Sequence, residues 1–328
     1  MPAEYGLVLP HFGEHASAKK VIEGSKRAEA LGFDSVWVRD HLLFHPHGME
    51  GTDNTFIDPF VTLAAVGGVT TRIKLGTGSL IPHRHPLLLA LMVNSLIYTV
   101  GNRLVLGLGL GNFQHEFDAI GMADWKRDGV VPEQVAILRK AWTEDHFSFD
   151  GKYYQFRDVG LKPRPAVVPR IWYAGGTPAS VRRALEYCDG WLPGRITLAT
   201  YRKRVEKLRS EAEARGRARL LEGCIPITSI DEDRATALRK VNIDGLLSSA
   251  RKQRFWVKPS SGEFTKPEDL EGSLICGTPN DVVNEVQKYL DVGIDHLVFD
   301  LRFRFDEWER SIELLGQEVL PRLRQLQS

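Results

Sequence analysis

The chain has 328 residues, 43% of them hydrophobic, with 43 basic against 42 acidic side chains. A formal net charge of +1 excludes the long-range pull toward nucleic acid or anionic membrane that a strongly basic protein would feel. The length is generous for an ordinary domain but normal for one α/β barrel, so residues 1–328 are expected to form one such domain.

The opening MPAEYGLVLPHFGEH lacks a basic region followed by an apolar run, so no signal peptide is expected. No apolar run approaches the roughly 20 residues that span a bilayer. Residues 5–10 (YGLVLP) predict a first strand. Ala18, Val21, Ile22, Ser25 and Ala28 then share one helical face, ending at Gly32. Residues 35–39 (SVWVR), 73–80 (IKLGTGSL) and 104–110 (LVLGLGL) predict strands two to four. Residues 171–174 (IWYA), 190–193 (GWLP), 222–228 and 296–301 (HLVFDL) predict strands five to eight. Helix 200–215 turns Tyr201, Val205, Leu208 and Ala212 inward, with Arg202, Lys203, Arg204 and Lys207 on a solvated face. Helix 280–292 buries Val282, Val283, Val286 and Leu290. A last helix from Asp306 carries Trp308, Ile312, Leu315, Val319 and Leu326.

Apolar strands alternating with helices predict a parallel sheet covered by helices, and eight units close into a (β/α)8 TIM barrel. Three long connections, 41–60, 112–130 and 229–275, follow strands two, four and seven. They are insertions on the C-terminal rim, where barrel active sites lie. Cys188, Cys224 and Cys276 are isolated and read as small buried hydrophobes, which fits a cytoplasmic protein.

Four segments could carry chemistry. Asp40-His41 closes strand two, and histidine exchanges a proton near neutral pH; the alternative is a helix cap with a structural histidine. Thr77, Gly78, Ser79 and Leu80 end strand three, where glycine lets backbone approach a flat ligand or simply makes a bulge. Gly107, Gly109 and Gly111 fail the spacing of a dinucleotide fingerprint. Alternating glycines in a barrel strand instead leave room for a ring system, with Asn112 and Glu116 in reach of a ligand. Gly175-Gly176-Thr177 opens a helix, and N–H groups at a helix start bind phosphate; the alternative is a plain tight turn. His41, His45 and His47 raise a metallohydrolase alternative. No matching ligand set follows strands four to six, so no metal is expected.

Taken together, AEALGFDSVWVRDH, IDPFVTLAAVGGVTTRIKLGTGSLIPHRHPLLLA, GNRLVLGLGLGNFQHEFDAIG, FDGKYYQF with LKPRP, PRIWYAGGTPASVRRALEYCDGW and ICGTPNDVVNEVQKYLDVGIDHLVF resemble the luciferase-like monooxygenase superfamily over nearly the whole chain. The resemblance implies a barrel that binds F420, or alternatively FMN, across the ends of strands two to four. It implies a non-prolyl cis peptide at the strand-three bulge, mapped to Ser79-Leu80. Phosphate would sit on Gly175, Gly176 and Thr177, with Arg195 near the tail. Asp40-His41 resembles the F420-using branch, where that histidine sits beside the reactive ring carbon. Some F420-dependent sugar dehydrogenases carry a glutamate acid where this chain has Asn112. The first hypothesis is therefore an F420-dependent oxidoreductase acting on a small organic molecule. The alternatives are an FMNH2-dependent monooxygenase and a non-catalytic flavin-binding protein. The resemblance also implies a homodimer.

Overall fold

The computed structural model describes residues 2–45 and 50–327. Strand β1 (Glu4–Val8) leads to helix α1 (Ala18–Ala30), β2 (Ser35–Val38), α2 (Pro59–Gly67), β3 (Lys74–Thr77), α3 (Pro86–Val100) and β4 (Leu104–Leu108). Helices α4 (Gln114–Asp118) and α5 (Arg127–Thr143) and a hairpin of β5 (Phe147–Asp150) and β6 (Gln155–Val159) follow. Then come β7 (Arg170–Ala174), α6 (Pro178–Tyr187), β8 (Gly190–Leu192), α7 (Leu198–Ala214) and β9 (Leu221–Cys224). The rest comprises β10 (Ile227–Ile230), α8 (Arg234–Arg239), α9 (Ile243–Arg251), β11 (Leu274–Gly277), α10 (Pro279–Leu290), β12 (His296–Phe299), α11 (Trp308–Leu314) and α12 (Leu320–Gln325).

Eight strands close in the order β1-β2-β3-β4-β7-β8-β9-β12, with every neighbouring pair parallel. The expected (β/α)8 barrel is present, and its strands fall on the eight predicted segments. Two differences have local causes. The predicted strand 222–228 breaks at Pro226: β9 stays in the barrel, while β10 leaves to pair with β11. Proline has no N–H for a ladder. The hairpin β5–β6 closes over the connection 151–154, where the Gly151 N–H donates to the Tyr154 carbonyl at 2.9 Å.

Helix starts are set by short polar side chains. Ser17 caps α1, Asp58 caps α2 ahead of Pro59, and Thr177 caps α6. Arg103 ties the bottom of the barrel together, donating to the carbonyls of Gly67, Thr70, Ile73 and Val100. Among the described residues, no helix is long and apolar enough to cross a membrane.

Inside the barrel the glycines make room for tryptophan rather than ligand. A Cβ on Gly76 would lie 2.2 Å from the Trp37 ring, and one on Gly190 would lie 2.7 Å from Trp172. Gly107 is pressed against the Thr77 carbonyl, where a Cβ would sit 2.1 Å away. The lower barrel is therefore filled by side chains. Among the described residues, space for a ring system lies at the rim.

Candidate active site

A cleft of about 470 Å³ opens over the C-terminal ends of the barrel strands. That volume lies in the range of small-molecule and cofactor sites. Of the residues expected to form the site, Asp40, His41, Gly78, Ser79, Gly109, Gly111, Asn112, Gly175, Gly176, Thr177 and Arg195 all border it. Segments up to 155 positions apart in sequence thus meet in one cavity.

Three expectations need correction. Thr77 is fully buried below the rim, its hydroxyl donating to the Gly107 carbonyl at 3.1 Å and accepting from the Gly107 N–H at 2.9 Å. It locks β3 to β4. Leu80 is buried too, its N–H donating to the Gly107 carbonyl and its carbonyl accepting from Gly109. The non-prolyl cis peptide lies at Gly78-Ser79, one bond before Ser79-Leu80.

Asp40 and His41 have parted roles. The Asp40 carboxylate is fully buried and accepts from Arg84 at 2.6 and 3.0 Å and from the Ile81 N–H at 3.0 Å. Alternation along an extended segment accounts for this, since neighbours point to opposite sides. Arg39, Asp40 and His41 all border the cleft, but the Asp40 carboxylate is turned to Arg84. Arg84 also reaches Asp58 at 2.8 Å, so Asp40 belongs to an ion-pair network that holds the rim.

His41 is nearly buried, with Phe44, Phe56 and Phe113 packed around its ring. Its Nδ1 lies 3.1 Å from the Glu116 carboxylate on α4, which also accepts from the N–H groups of Leu42 and Leu43 at 2.7 and 3.1 Å. A carboxylate only accepts, so the Nδ1–H donates, and Nε2 is the ring nitrogen not turned to Glu116. Burial pushes the Glu116 carboxyl upward, but the hydrogen bond from His41 and the two N–H groups outweigh it and hold the group below its ordinary value. Glu116, expected to touch a ligand directly, stands behind His41 instead.

The opposite end of the cleft is the start of α6. Gly175 has φ 121°, a conformation L side chains rarely adopt, and a Cβ on Gly176 would lie 2.6 Å from Ile196. Thr177 takes up the Ser180 N–H at 3.1 Å and Pro178 has no N–H, so in the first turn it is the Ala179 N–H that has no partner inside the helix. Arg204 approaches from α7. Expected on a solvated face, it is buried, with Nε 3.2 Å from the Gly176 carbonyl and Nη2 2.6 Å from the Phe255 carbonyl. Its spacing from Tyr201 and Leu208 carried that signal. Arg183, three residues after Ser180 and on the same helical face, also borders the cleft.

Sequence reasoning missed a further part of the lining. Arg39 precedes Asp40-His41, Asp300 and Arg302 follow β12, and Gln253, Phe255 and Trp256 come from the long 229–275 connection. The strand-end rule could have found Asp300 and Arg302. His45 Nδ1 lies 3.3 Å from the Leu43 carbonyl, and His47 lies outside the described residues. Among the described residues no three His, Cys, Asp or Glu side chains converge as a metal site.

The luciferase-like monooxygenase family model matches residues 4–296, and the chain belongs to that family. It is similar to the F420-dependent glucose-6-phosphate dehydrogenase of Amycolatopsis mediterranei (strain U-32), at 27% identity over 95% of this chain and 97% of the relative. It is 29% identical, over 96% of this chain and 97% of the relative, to the protein of the same description from Nakamurella multipartita. In fold it resembles an F420-dependent secondary alcohol dehydrogenase solved with an F420-acetone adduct. The TM-score is 0.81 at 19% identity, covering 98% of this chain and 99% of that one.

Proposed function

We propose that this chain is an F420-dependent oxidoreductase that exchanges a hydride with a small organic substrate. The observation that carries the reading is one cleft with two ends. At one, the Glu116–His41 pair offers Nε2; at the other, Gly175, Gly176 and Thr177 open α6. The residues fit such a cofactor. Gly78, Ser79, Gly109, Gly111 and Asn112 form a rim of small groups suited to a flat ring. The α6 start, with Arg183, suits a phosphate. The curated relatives named above carry F420 in their descriptions.

When bound, the deazaflavin supplies two-electron hydride chemistry. His41 Nε2 takes the proton of a substrate hydroxyl, or returns it in the opposite direction. Glu116 fixes the ring's tautomer and orientation. Phe44, Phe56 and Phe113 exclude water around that ring. The test is to titrate the protein with F420 and, separately, FMN, following fluorescence quenching and melting temperature. F420 should bind the more tightly; tighter FMN binding would move the protein to the oxygenase branch, and binding of neither would remove the redox reading.

The reading takes 1–328 as one domain, since Ala3 near the start bonds to Gln327 and Arg324 near the end. A cytoplasmic setting fits three free, buried cysteines. A homodimer is part of the proposal. Val61 and Val69 from and beyond α2, and Leu88, Leu91 and Tyr98 of α3, form an exposed apolar face, with Tyr98 76% exposed. Leu88→Lys with Tyr98→Glu should then yield a monomer by size-exclusion with light scattering.

A further inference from the structure

Behind the start of α6 lies a guanidinium to which the chemistry above assigns no task. Arg204 of α7 is 4% exposed. Its Nε donates to the Gly176 carbonyl at 3.2 Å and its Nη2 to the Phe255 carbonyl at 2.6 Å. One helical turn earlier, Thr200 Oγ1 accepts from the Val257 N–H at 2.9 Å. One face of α7 thus holds two parts of the cleft wall, the α6 start and the segment carrying Phe255 and Trp256.

Two features separate Arg204 from a simple staple. The first is its charge. Both of its partners are carbonyls, and burial alone pushes its pKa below the ordinary guanidinium value, with no carboxylate acting against it. A neutral amide could bridge two carbonyls without the cost of burying an ion. The second is the peptide it grips. The Gly176-Thr177 bond is trans, and in a planar trans peptide the C=O and the next N–H point opposite ways. With the Gly176 carbonyl on Arg204, the Thr177 N–H is turned away from α7. It has no hydrogen-bond partner among the described residues, and Thr177 borders the cleft. A charged donor on the carbonyl also polarises the N–H at the far side of the same peptide.

We propose that Arg204 is a positioning residue for the cofactor phosphate. It fixes and polarises the Gly176-Thr177 peptide so that the Thr177 N–H is offered to a phosphate oxygen, and its own charge is balanced when that anion arrives. Arg204 does not touch the phosphate; it acts through the peptide. The same guanidinium keeps Phe255 in register with the α6 start. This role rests on the reading of the α6 start as the phosphate end of the cleft.

The test compares F420 with the same deazaflavin ending at its ribityl hydroxyl, without phosphate, on wild type, Arg204→Lys and Arg204→Met. Fluorescence titration gives both affinities, and a cooperative melt shows that each variant folds. Wild type should bind F420 the more tightly. Arg204→Met should weaken F420 roughly tenfold and the phosphate-free form by no more than about twofold, tenfold being the lower end of what outer-shell partners of metal ligands contribute. Arg204→Lys keeps the charge but not the fork, so its loss of F420 affinity should fall between. If Arg204→Met does not fold, Arg204→Lys carries the same comparison. Equal losses for the two deazaflavins would make Arg204 a structural staple, and an unchanged F420 affinity would remove it from recognition; either overturns the proposal. A wild type that binds both deazaflavins alike would sink the phosphate reading, and the role of Arg204 with it. If neither deazaflavin binds, the cofactor reading falls and inorganic phosphate takes their place. It should raise the melting temperature of wild type and not of the variant; equal shifts, or none in wild type, would overturn the role.

Discussion

At the α6 end of the cleft the wall is made of backbone: Gly175 at φ 121°, Gly176 against Ile196, and a helix start. At the β2 and β12 end it is made of side chains: His41 on Glu116, and Arg39 and Arg302 around Glu50 and Asp300. A backbone receptor recognises a shape common to every molecule carrying that shape, and it fails when a Cβ intrudes. A side-chain receptor is set by charge and tautomer, and can be retuned one residue at a time. Changes at the first end should therefore act on cofactor binding, and changes at the second on turnover and substrate choice.

The largest effect should come from His41→Ala. Removing a positioned general acid–base typically costs roughly 10²- to 10⁴-fold. Steady-state kinetics should place that loss in kcat, with the F420 dissociation constant nearly unchanged. An unaltered kcat would remove His41 from the chemistry and merge the two ends into one binding surface. Next in size is Gly176→Asp. The carboxylate would face the phosphate position, and its Cβ would meet Ile196 at 2.6 Å, so cofactor affinity should fall roughly 100-fold or more. Fluorescence titration measures it, and a cooperative melt confirms the fold. Retained affinity would move the phosphate away from α6.

Glu116→Gln sharpens the comparison within the side-chain end. Loss of an orienting partner should lower kcat by roughly 10- to 100-fold, the range seen for outer-shell partners of metal-bound histidines. Glu116→Asp should recover part of it, which a purely structural role would not predict. The Glu116 carboxyl is held below its ordinary 4.5 in the folded protein, so its stabilising contribution is present above that value. The stability gap between wild type and Glu116→Gln should narrow as pH falls through the acid range. A gap constant with pH would mean that the carboxylate's charge does not matter there.

The same contrast explains what the sequence could and could not reveal. Gly175, Gly176 and Thr177 were legible because one short segment carries the whole device: glycines, then a cap, then a helix. The barrel was legible because each strand is a local apolar run. Arg39, Arg302, Glu50 and Asp300 were not, because their meaning arises only when three separate segments close on one another. Thr77, Leu80 and Asp40 misled for a related reason. Their positions at strand ends were right, but alternation along the chain turned their side chains into the wall. Gly107 misled because the space it leaves is taken by the Thr77 carbonyl.

The smallest expected effect concerns His11, beneath Arg39. Its Nδ1–H donates to the Leu9 carbonyl at 2.9 Å, and its Nε2 accepts from the Arg39 N–H at 3.1 Å, so both nitrogens are committed in the neutral form. Burial pushes its pKa down from 6.5 to about 4. The unfolded chain takes up the proton near 6.5 and the folded one only near 4. Between those values the unfolded state holds more protons, and stability falls as the pH drops. Lowering the pH from 7 to 5 should cost about 2 kcal/mol through this group, at roughly 1.36 kcal/mol per pH unit below 6.5. His83 and His85 are also shifted down by burial and add in the same direction. Comparing the pH slope of the melting temperature in wild type and His11→Gln isolates the share of His11. NMR of the His11 ring should show no titration above about pH 5. A ring that titrates near 6.5 would mean that a charged imidazolium is tolerated beside Arg39, and with it that the arginine end of the cleft is far less cationic than its geometry implies.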